Sequence, residues 1–274
     1  MKALHLSLAF IILMGVTFFL FVSCGDDLKE VLPDNENPGK VFDVDKNEYK
    51  TVLIGDQIWM AENLRTSRYR DGREIPTNLS DDEWLTTTLG AYAVYDYTLP
   101  EAEGIASRDE MVAAYGKLYN WYAVNNTGGL CPEGWRVPKP VDWNKLFNYL
   151  ISEYGLHNNW LADDIDGVAN ALKSCRQVDS PLGGECDTGD HPRWDSSDTH
   201  HGFNTVGFAM LPSGDRLSSG RFTFLGSNAS FWTSQQTTPM DAMQLIMFSG
   251  SGGVLNTVNP KGWGSAVRCI REKE

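Results

Sequence analysis

Four kinds of side chain in this sequence could do chemistry or hold a ligand: clustered carboxylates, histidines, cysteines, and tryptophans beside amides or charges. Asp163, Asp164 and Asp166, followed by Gly167, bring hard oxygen donors close together, as calcium requires. No Glu stands where an EF-hand loop would need it, and acids at a helix start are favoured by the helix dipole alone. The expectation is no metal and no cofactor, with calcium at these three residues as the weaker alternative. Asp187, Asp190, Asp195 and Asp198 share a long polar segment with His191, His200 and His201. Carboxylates without fixed spacing read as solvation, and adjacent histidines point apart on an extended chain, so a solvated loop is expected there rather than a transition metal.

Catalysis finds little support. There is no G-x-S-x-G elbow and no HExxH or CxxC spacing, and His157 has no context that would make it a base. Binding is better served. A ring can cover the apolar face of a sugar while amides and charges meet its hydroxyls. Trp194 with Asp195, Asp215 with Arg216, Trp232 with Gln235 and Gln236, and Trp263 after Lys261-Gly262 are the candidate ligand-binding residues. Each tryptophan could equally be core, Trp232 above all, because it lies within a strand phrase. The Glu-Pro-Asn and Trp-Asn-Asp signals of calcium-dependent sugar binding are absent.

Composition limits the partners. The 274 residues carry a formal net charge of −13, which repels phosphate backbones and argues against nucleic acid. With 42% apolar residues the chain can bury a core, and 26 Gly, 12 Pro and 9 Trp suggest short strands and tight turns around aromatic plugs rather than a helical bundle.

The chain opens with an export signal: Lys2, an apolar run from Leu8 to Val22, then Ser23 before Cys24. Phe21-Val22-Ser23-Cys24 resembles the bacterial lipoprotein box, with Phe21 in place of the commoner Leu, and the acidic Gly25-Asp26-Asp27 flank resembles the surface-export signal of Bacteroidota lipoproteins. Residues 1–23 are read as a signal peptide, and 24–40 as a lipidated Cys24 on a flexible stalk too poor in large apolar residues to order itself. Residues 41–274 are read as one domain. The expected location is the cell envelope, on the outer membrane facing the exterior. Acyl chains contributing about 0.8 kcal/mol per buried methylene would hold it there. Losing the leader removes one lysine and no acid, so the mature chain is slightly more acidic.

With Cys24 acylated, Cys131, Cys175, Cys186 and Cys269 remain, an even number in an exported chain. Three pairings are possible. In one, Cys175 with Cys186 closes a short Gly-rich loop and Cys131 pins the middle of the chain to Cys269 near its end. Each bridge is expected to stabilise by roughly 3 to 5 kcal/mol through loop closure, the longer loop more.

The elements that must position these residues follow from pattern. Val41 to Val44, Tyr49 to Ile54 and Gln57 to Met60 are β-branched or aromatic runs separated by Asp45-Lys46-Asn47 and Gly55-Asp56, which predicts a strand meander. Ala91 to Tyr97 is a further strand candidate, Ser107 to Ala114 a short helix, and Tyr115 to Val124 aromatic core. Trp143, Leu146, Phe147, Leu150, Ile151 and Tyr154 recur at helical spacing after Pro140 and Asp142. Ile165, Val168, Ala169 and Leu172 predict a second helix, capped by Asp163 or Asp164. Phe208 to Leu211, Arg221 to Leu225, Ser230 to Thr233, Ala242 to Phe248 and Ser265 to Ile270 predict strands. Helices in the middle and strands at both ends give an α+β class with a largely antiparallel sheet.

Six phrases in order carry a resemblance. Ile54-Gly55-Asp56-Gln57-Ile58-Trp59-Met60-Ala61-Glu62-Asn63-Leu64, Tyr115-Gly116-Lys117-Leu118-Tyr119-Asn120-Trp121-Tyr122 and Cys131-Pro132-Glu133-Gly134-Trp135-Arg136-Val137-Pro138 are followed by Gly207-Phe208-Ala209-Met210-Leu211-Pro212 with Arg216, Phe231-Trp232-Thr233-Ser234 and Val267-Arg268-Cys269. The chain resembles the Fibrobacter succinogenes major paralogous domain family, mostly exported or lipid-anchored proteins without an established activity. The resemblance implies a C-type-lectin-like fold similar to that of formylglycine-generating enzymes: a mostly antiparallel twisted sheet with two helices and long loops, here preceded by the meander. Two departures stand out. Lys139 replaces the Ser or Thr that family members place after Pro138, a lost cap worth about 1 kcal/mol. The stretch from Gly183 to Asn204 is longer and more polar than expected for the family, so chemistry particular to this chain is expected there.

The sequence reads as a lipid-anchored, non-enzymatic module binding a carbohydrate or a surface protein. A purely structural or adhesive surface protein is the alternative, and an enzyme on the related fold the third reading, carried by analogy alone. Cys24→Ala is expected to abolish labelling by radioactive palmitate; a variant labelled like the parent chain overturns the anchor.

Overall fold

The computed structural model describes residues 39–161 and 165–273. The expected signal peptide, Cys24 and nearly all of the stalk lie outside the described residues, as do Asp163 and Asp164. Chain order is β1 (Lys40–Phe42), β2 (Glu48–Ile54), β3 (Gln57–Met60), α1 (Asp81–Thr86), β4 (Tyr92–Ala93), α2 (Arg108–Tyr115), β5 (Leu118–Asn120), α3 (Trp121–Val124), α4 (Pro140–Tyr154) and α5 (Val168–Leu172). Strands follow: β6 (Ser213–Arg216), β7 (Phe222–Leu225), β8 (Asn228–Gln236), β9 (Asp241–Phe248), β10 (Leu255–Pro260), β11 (Gly264–Ser265) and β12 (Ile270–Glu272). Of the five α-helices among the described residues, only α2 and α4 reach seven residues.

The strands form three sheets, ordered β1-β2-β3-β12, β10-β9-β8 and β4-β5-β11-β6-β7, and every pairing between them is antiparallel. The expected meander is present, and the last strand closes it: Trp59 of β3 faces Val52 on one side and Ile270 of β12 on the other. Gly55 takes φ 62° in the tight turn between β2 and β3, a conformation that a side chain would strain. Among the described residues no helix is long and apolar enough to cross a membrane.

Strand alternation divides the apolar side chains between two large clusters. Ile58 and Met60 enter one and Trp59 the other; Trp232 and Phe231 divide likewise, as do Val267 and Cys269 against Ala266 and Ile270. Strands buried on both faces must be apolar nearly throughout, which is why these phrases look so hydrophobic. Helix α4 contributes Trp143, Leu146, Phe147 and Leu150 to the second cluster, where the Trp143 ring meets Trp59 at 4.7 Å and Phe231 at 5.6 Å between centroids. The missing cap at Lys139 is compensated from inside the helix. Asp142 accepts from the Lys139 N–H at 2.6 Å and is paired with Arg136; although burial opposes it, these bonds hold the carboxyl below its ordinary range.

Arg268 is the largest fully buried charged side chain among the described residues. Its Nε donates to Asn63 Oδ1 at 2.9 Å, Nη2 to the Ala209 carbonyl at 2.9 Å, and Nη1 to the Phe208 carbonyl. The guanidinium lies 4.4 Å from the Phe208 ring centroid and 5.6 Å from that of Phe231. Next to it, Cys269 is bonded to Cys131, 138 residues away, and Cys175 is bonded to Cys186.

Several expectations are corrected. Phe208 to Leu211 is not a strand: Ala209 adopts φ 50°, and the carbonyls of Phe208 and Ala209 serve Arg268 instead of a ladder. Ala91 to Tyr97 shortens to β4, and Ser265 to Ile270 breaks into β11 and β12. Helix α5 starts at Val168 with Gly167 as its cap residue and no side-chain cap; Ile165 is exposed. Strands β6 and β10 and helix α1 had not been expected, and Tyr115 to Val124, read only as aromatic core, carries β5 and α3. Lys40, placed in the stalk, begins β1.

Replacing Arg268 by Met strands two buried acceptors and a half-buried one and is expected to cost ~3 kcal/mol, read as a lower urea midpoint. A loss below about 1 kcal/mol would contradict the role described.

Candidate functional site

The eight residues singled out for ligand binding do not converge. Trp194 and Trp232 are buried to within 1% of their surface and their indole N–H groups donate to the carbonyls of Met210 and Tyr119. A ring without an open face cannot stack on a sugar, so both are core residues. Asp215 is buried too. Asp195, Gln235 and Gln236 are exposed; Gln236 Oε1 accepts from Lys261 Nζ at 2.9 Å. Trp263 is half-buried against the first cluster. Only Arg216 lines a cleft that also presents rings and unsatisfied donors.

The long polar segment is less solvated than expected. His200 and His201 are buried, His201 edge-on to Phe203, and the His200 carbonyl helps to hold a buried ammonium. Lys173 Nζ donates to that carbonyl, to those of Ser249 and Ser251 and to Asn170 Oδ1 at 2.8 to 3.3 Å, 5.1 Å from the Trp194 ring centroid. Burial pushes its pKa down to about 7. His191 lies against Tyr115, Nδ1 to OH 2.6 Å, beside a cleft whose charged walls are acidic, Glu103, Glu110 and Asp190. Asp166 is exposed, and among the described residues no group of three or more His, Cys, Asp or Glu could hold a metal ion.

The cleft at Arg216 measures ≈ 380 Å³, at the lower end of small-molecule sites. One wall is the segment from Thr77 to Glu83, the other the exit of β4 from Ala93 to Tyr97. Arg108, at the start of α2, closes one end, and Arg216 with Phe222 from the β6–β7 hairpin forms the floor. Local chemistry sets each part. Ser80 caps α1 and Glu83 returns a hydrogen bond to the Ser80 N–H at 2.8 Å, so this capping box fixes the first wall. Ser80-Asp81-Asp82-Glu83 is therefore the signal that could have found α1, which the sequence reading missed.

Arg216 is clamped rather than free. Its Nε donates to the Gly220 carbonyl at 2.9 Å, and Nη2 donates to the Leu79 carbonyl at 3.1 Å and Asp81 Oδ1 at 2.9 Å. The guanidinium covers Trp84 at 4.5 Å and Phe222 at 5.1 Å. Burial lowers its pKa while Asp81 opposes that. Two glycines permit this approach. A Cβ on Gly264 would stand 2.9 Å from the Trp84 ring, and one on Gly220, at φ +88°, 2.1 Å from Asp81. Tyr95 packs on Phe222 with centroids 5.1 Å apart and donates to Glu101 Oε1 at 2.7 Å; burial, then this carboxylate, raises its pKa. Tyr97 is 37% exposed at the rim, and Arg108 donates once, through Nη2 to Thr77 Oγ1 at 3.3 Å. A guanidinium with spare donors beside open rings can hold a polar ligand by its edge and its face.

Behind the floor lies a closed polar cluster. Asp215 accepts from Ser265 Oγ at 2.6 Å, Ser230 Oγ at 2.7 Å and Gln244 Nε2 at 3.4 Å, and Gln244 in turn accepts from Asn259. Strand alternation sends Asp215 inwards and Arg216 to the cleft, so the two adjacent candidates have unrelated roles.

The family model described as Fibrobacter succinogenes major domain matches residues 52–271. The chain matches no curated protein and no solved structure.

Burial pushes the Asp215 carboxyl up to about 6, from an ordinary 3.8, against the pull of its three donors. Between those values the folded chain keeps a proton that the unfolded chain has released, so this group's contribution makes stability fall as pH rises from about 4 to about 6. Asp215→Asn is expected to flatten the unfolding free energy across that interval by an amount on the order of 3 kcal/mol, read from urea midpoints at each pH. An unchanged pH profile would contradict the burial of a titrating carboxyl.

Proposed function

Because the chain belongs to the Fibrobacter succinogenes major domain family, whose match spans both walls and the floor of the cleft, we propose that it is a non-enzymatic binding module of the cell envelope, taking a carbohydrate or surface-protein ligand in that cleft. The observation that carries this reading is the clamped Arg216 platform, which holds the half-buried Phe222 ring, backed by the buried Tyr95, beneath a rim where Tyr97 and the Arg108 guanidinium meet solvent. Rigid aromatic surface beside charged hydrogen-bonding groups is what sugar faces and hydroxyls require, and a preorganised floor lowers the entropy lost on binding.

The fold assigned to the module is C-type-lectin-like, on the strength of the six sequence phrases and the antiparallel sheets. Its anchor is the acylated Cys24, carried on the stalk to the outer face of the outer membrane; the apolar leader ending at Ser23-Cys24 supports this. Of the sequence candidates, Arg216 remains in the site, while Asp195, Gln235, Gln236 and Trp263 lie apart from it.

An array of glycans and envelope proteins probed with the purified chain tests the reading. Saturable binding is expected, weakened about tenfold by Tyr97→Ala or Phe222→Ala, a loss of roughly 1.4 kcal/mol. Binding indifferent to both changes would move the site elsewhere, and no saturable binding would favour the purely structural surface protein.

A further inference from the structure

Charge is distributed unevenly around the cleft. The carboxylates on its walls are already engaged: Glu83 by the Ser80 N–H and hydroxyl, both at 2.8 Å, and Asp96 by the Thr98 N–H and hydroxyl at 2.9 and 2.7 Å. Arg216 is paired with Asp81. Arg108 differs. It is half-buried, makes no ion pair among the described residues, and uses one of its five N–H donors, towards Thr77. Its positive charge reaches the neighbouring Lys117, whose ammonium is buried, donates to Ser67 Oγ at 2.6 Å and likewise has no ion pair among the described residues. An otherwise acidic chain thus keeps one cation without an ion pair among the described residues on the cleft itself, Arg108, and a second, Lys117, close enough for their charges to interact.

A partly desolvated guanidinium with a free planar fork is suited to a bidentate carboxylate more than to a hydroxyl. The Tyr97 ring, 37% exposed at the same rim, suits the apolar face of a pyranose. Volume agrees, because ≈ 380 Å³ admits about one or two sugar rings and no larger fold. Resting on the binding-module reading, we infer that the ligand class is an acidic saccharide, a uronic acid residue whose carboxylate pairs with Arg108 while its ring lies on Tyr97. Arg216 and Phe222 form the floor beneath it, and Lys117 adds positive potential without contact. An acidic peptide could satisfy Arg108 but leaves the ring platform without a matching flat, hydroxylated partner, so the sugar is favoured.

Calorimetric titration of the purified full-length chain with galacturonate and glucuronate trisaccharides tests this. The same trisaccharides after methyl esterification, or after reduction of each carboxyl to an alcohol, serve as controls, with oligoglutamate alongside. At least one acid is expected to bind saturably. Its ester and alcohol are expected to bind tenfold or more weakly. Arg108→Gln should impose the same loss with an unchanged melting temperature, and Arg108→Lys, which keeps a charge but not the fork, should recover part of it. If ester and acid bind equally, or Arg108→Gln binds like the parent chain, the acidic-sugar assignment is overturned while the binding module stands. Tighter binding of oligoglutamate than of either uronate overturns it in favour of a peptide site. Binding of no saccharide, acidic or neutral, overturns the acidic-sugar assignment and leaves the module only its surface-protein ligand, which the array of envelope proteins then decides.

Discussion

A guanidinium taken out of water needs its donors answered by oxygen, and at Arg268 that requirement organises the centre of the molecule. One side chain near the C-terminus draws on Asn63 from the first third of the chain and on two consecutive carbonyls, Phe208 and Ala209, from the last. Rings of Phe208 and Phe231 cover its faces. Burial brings its pKa down to about 9, still high enough to keep the charge at neutral pH. The carbonyls are free to serve it only because their segment leaves the strand conformation at Ala209. An irregular stretch that would otherwise expose backbone polar groups to a core is thereby satisfied.

The same C-terminal segment does most of the joining. Within nine residues, Gly264 to Glu272, it pairs with β5 and β6, then with β3, and carries Cys269 to its partner Cys131. A chain closed in this way resists opening from its last strand, and the bridge across 138 residues removes much of the freedom of the unfolded chain. The cleft depends on this closure indirectly. Gly264 lies against Trp84, Trp84 supports Arg216, and Arg216 ties the β6–β7 hairpin to the start of α1 through Leu79 and Asp81. The first wall of the cleft is thus held by a residue 137 positions away in sequence.

Polar groups inside this protein fall into two kinds with different consequences. Lys173 and Arg268 are basic groups surrounded by carbonyls and an amide oxygen, and they tie loops that have no ladder of their own. Asp215 is an acid answered by hydroxyls and an amide. Arg108 belongs to neither kind: it is only half-buried and sparsely bonded, and the structure has not spent it on packing. In a chain whose charged side chains are mostly engaged or solvated, that difference separates a group available to a ligand from groups that serve the fold.

Much of the architecture was legible from periodicity and chemistry alone. The β1–β3 meander, α4 and the paired cysteines follow from alternation, from helical spacing and from the even count of cysteines left beyond Cys24, all of which act over a few residues or by simple parity. Helix α1 was missed, although the capping box from Ser80 to Glu83 carried a signal for it. The site was not. Trp194 and Trp232 share with Tyr97 an aromatic ring beside polar neighbours, and only burial separates them. Asp215 and Arg216 are adjacent, yet one belongs to a sealed cluster and the other to a cleft. Local sequence determined which segments could be strands or helices, because those preferences are set by near neighbours. Which face of each strand met a core and which met water, and so which side chains gathered at one cleft, was decided by packing between segments more than a hundred residues apart.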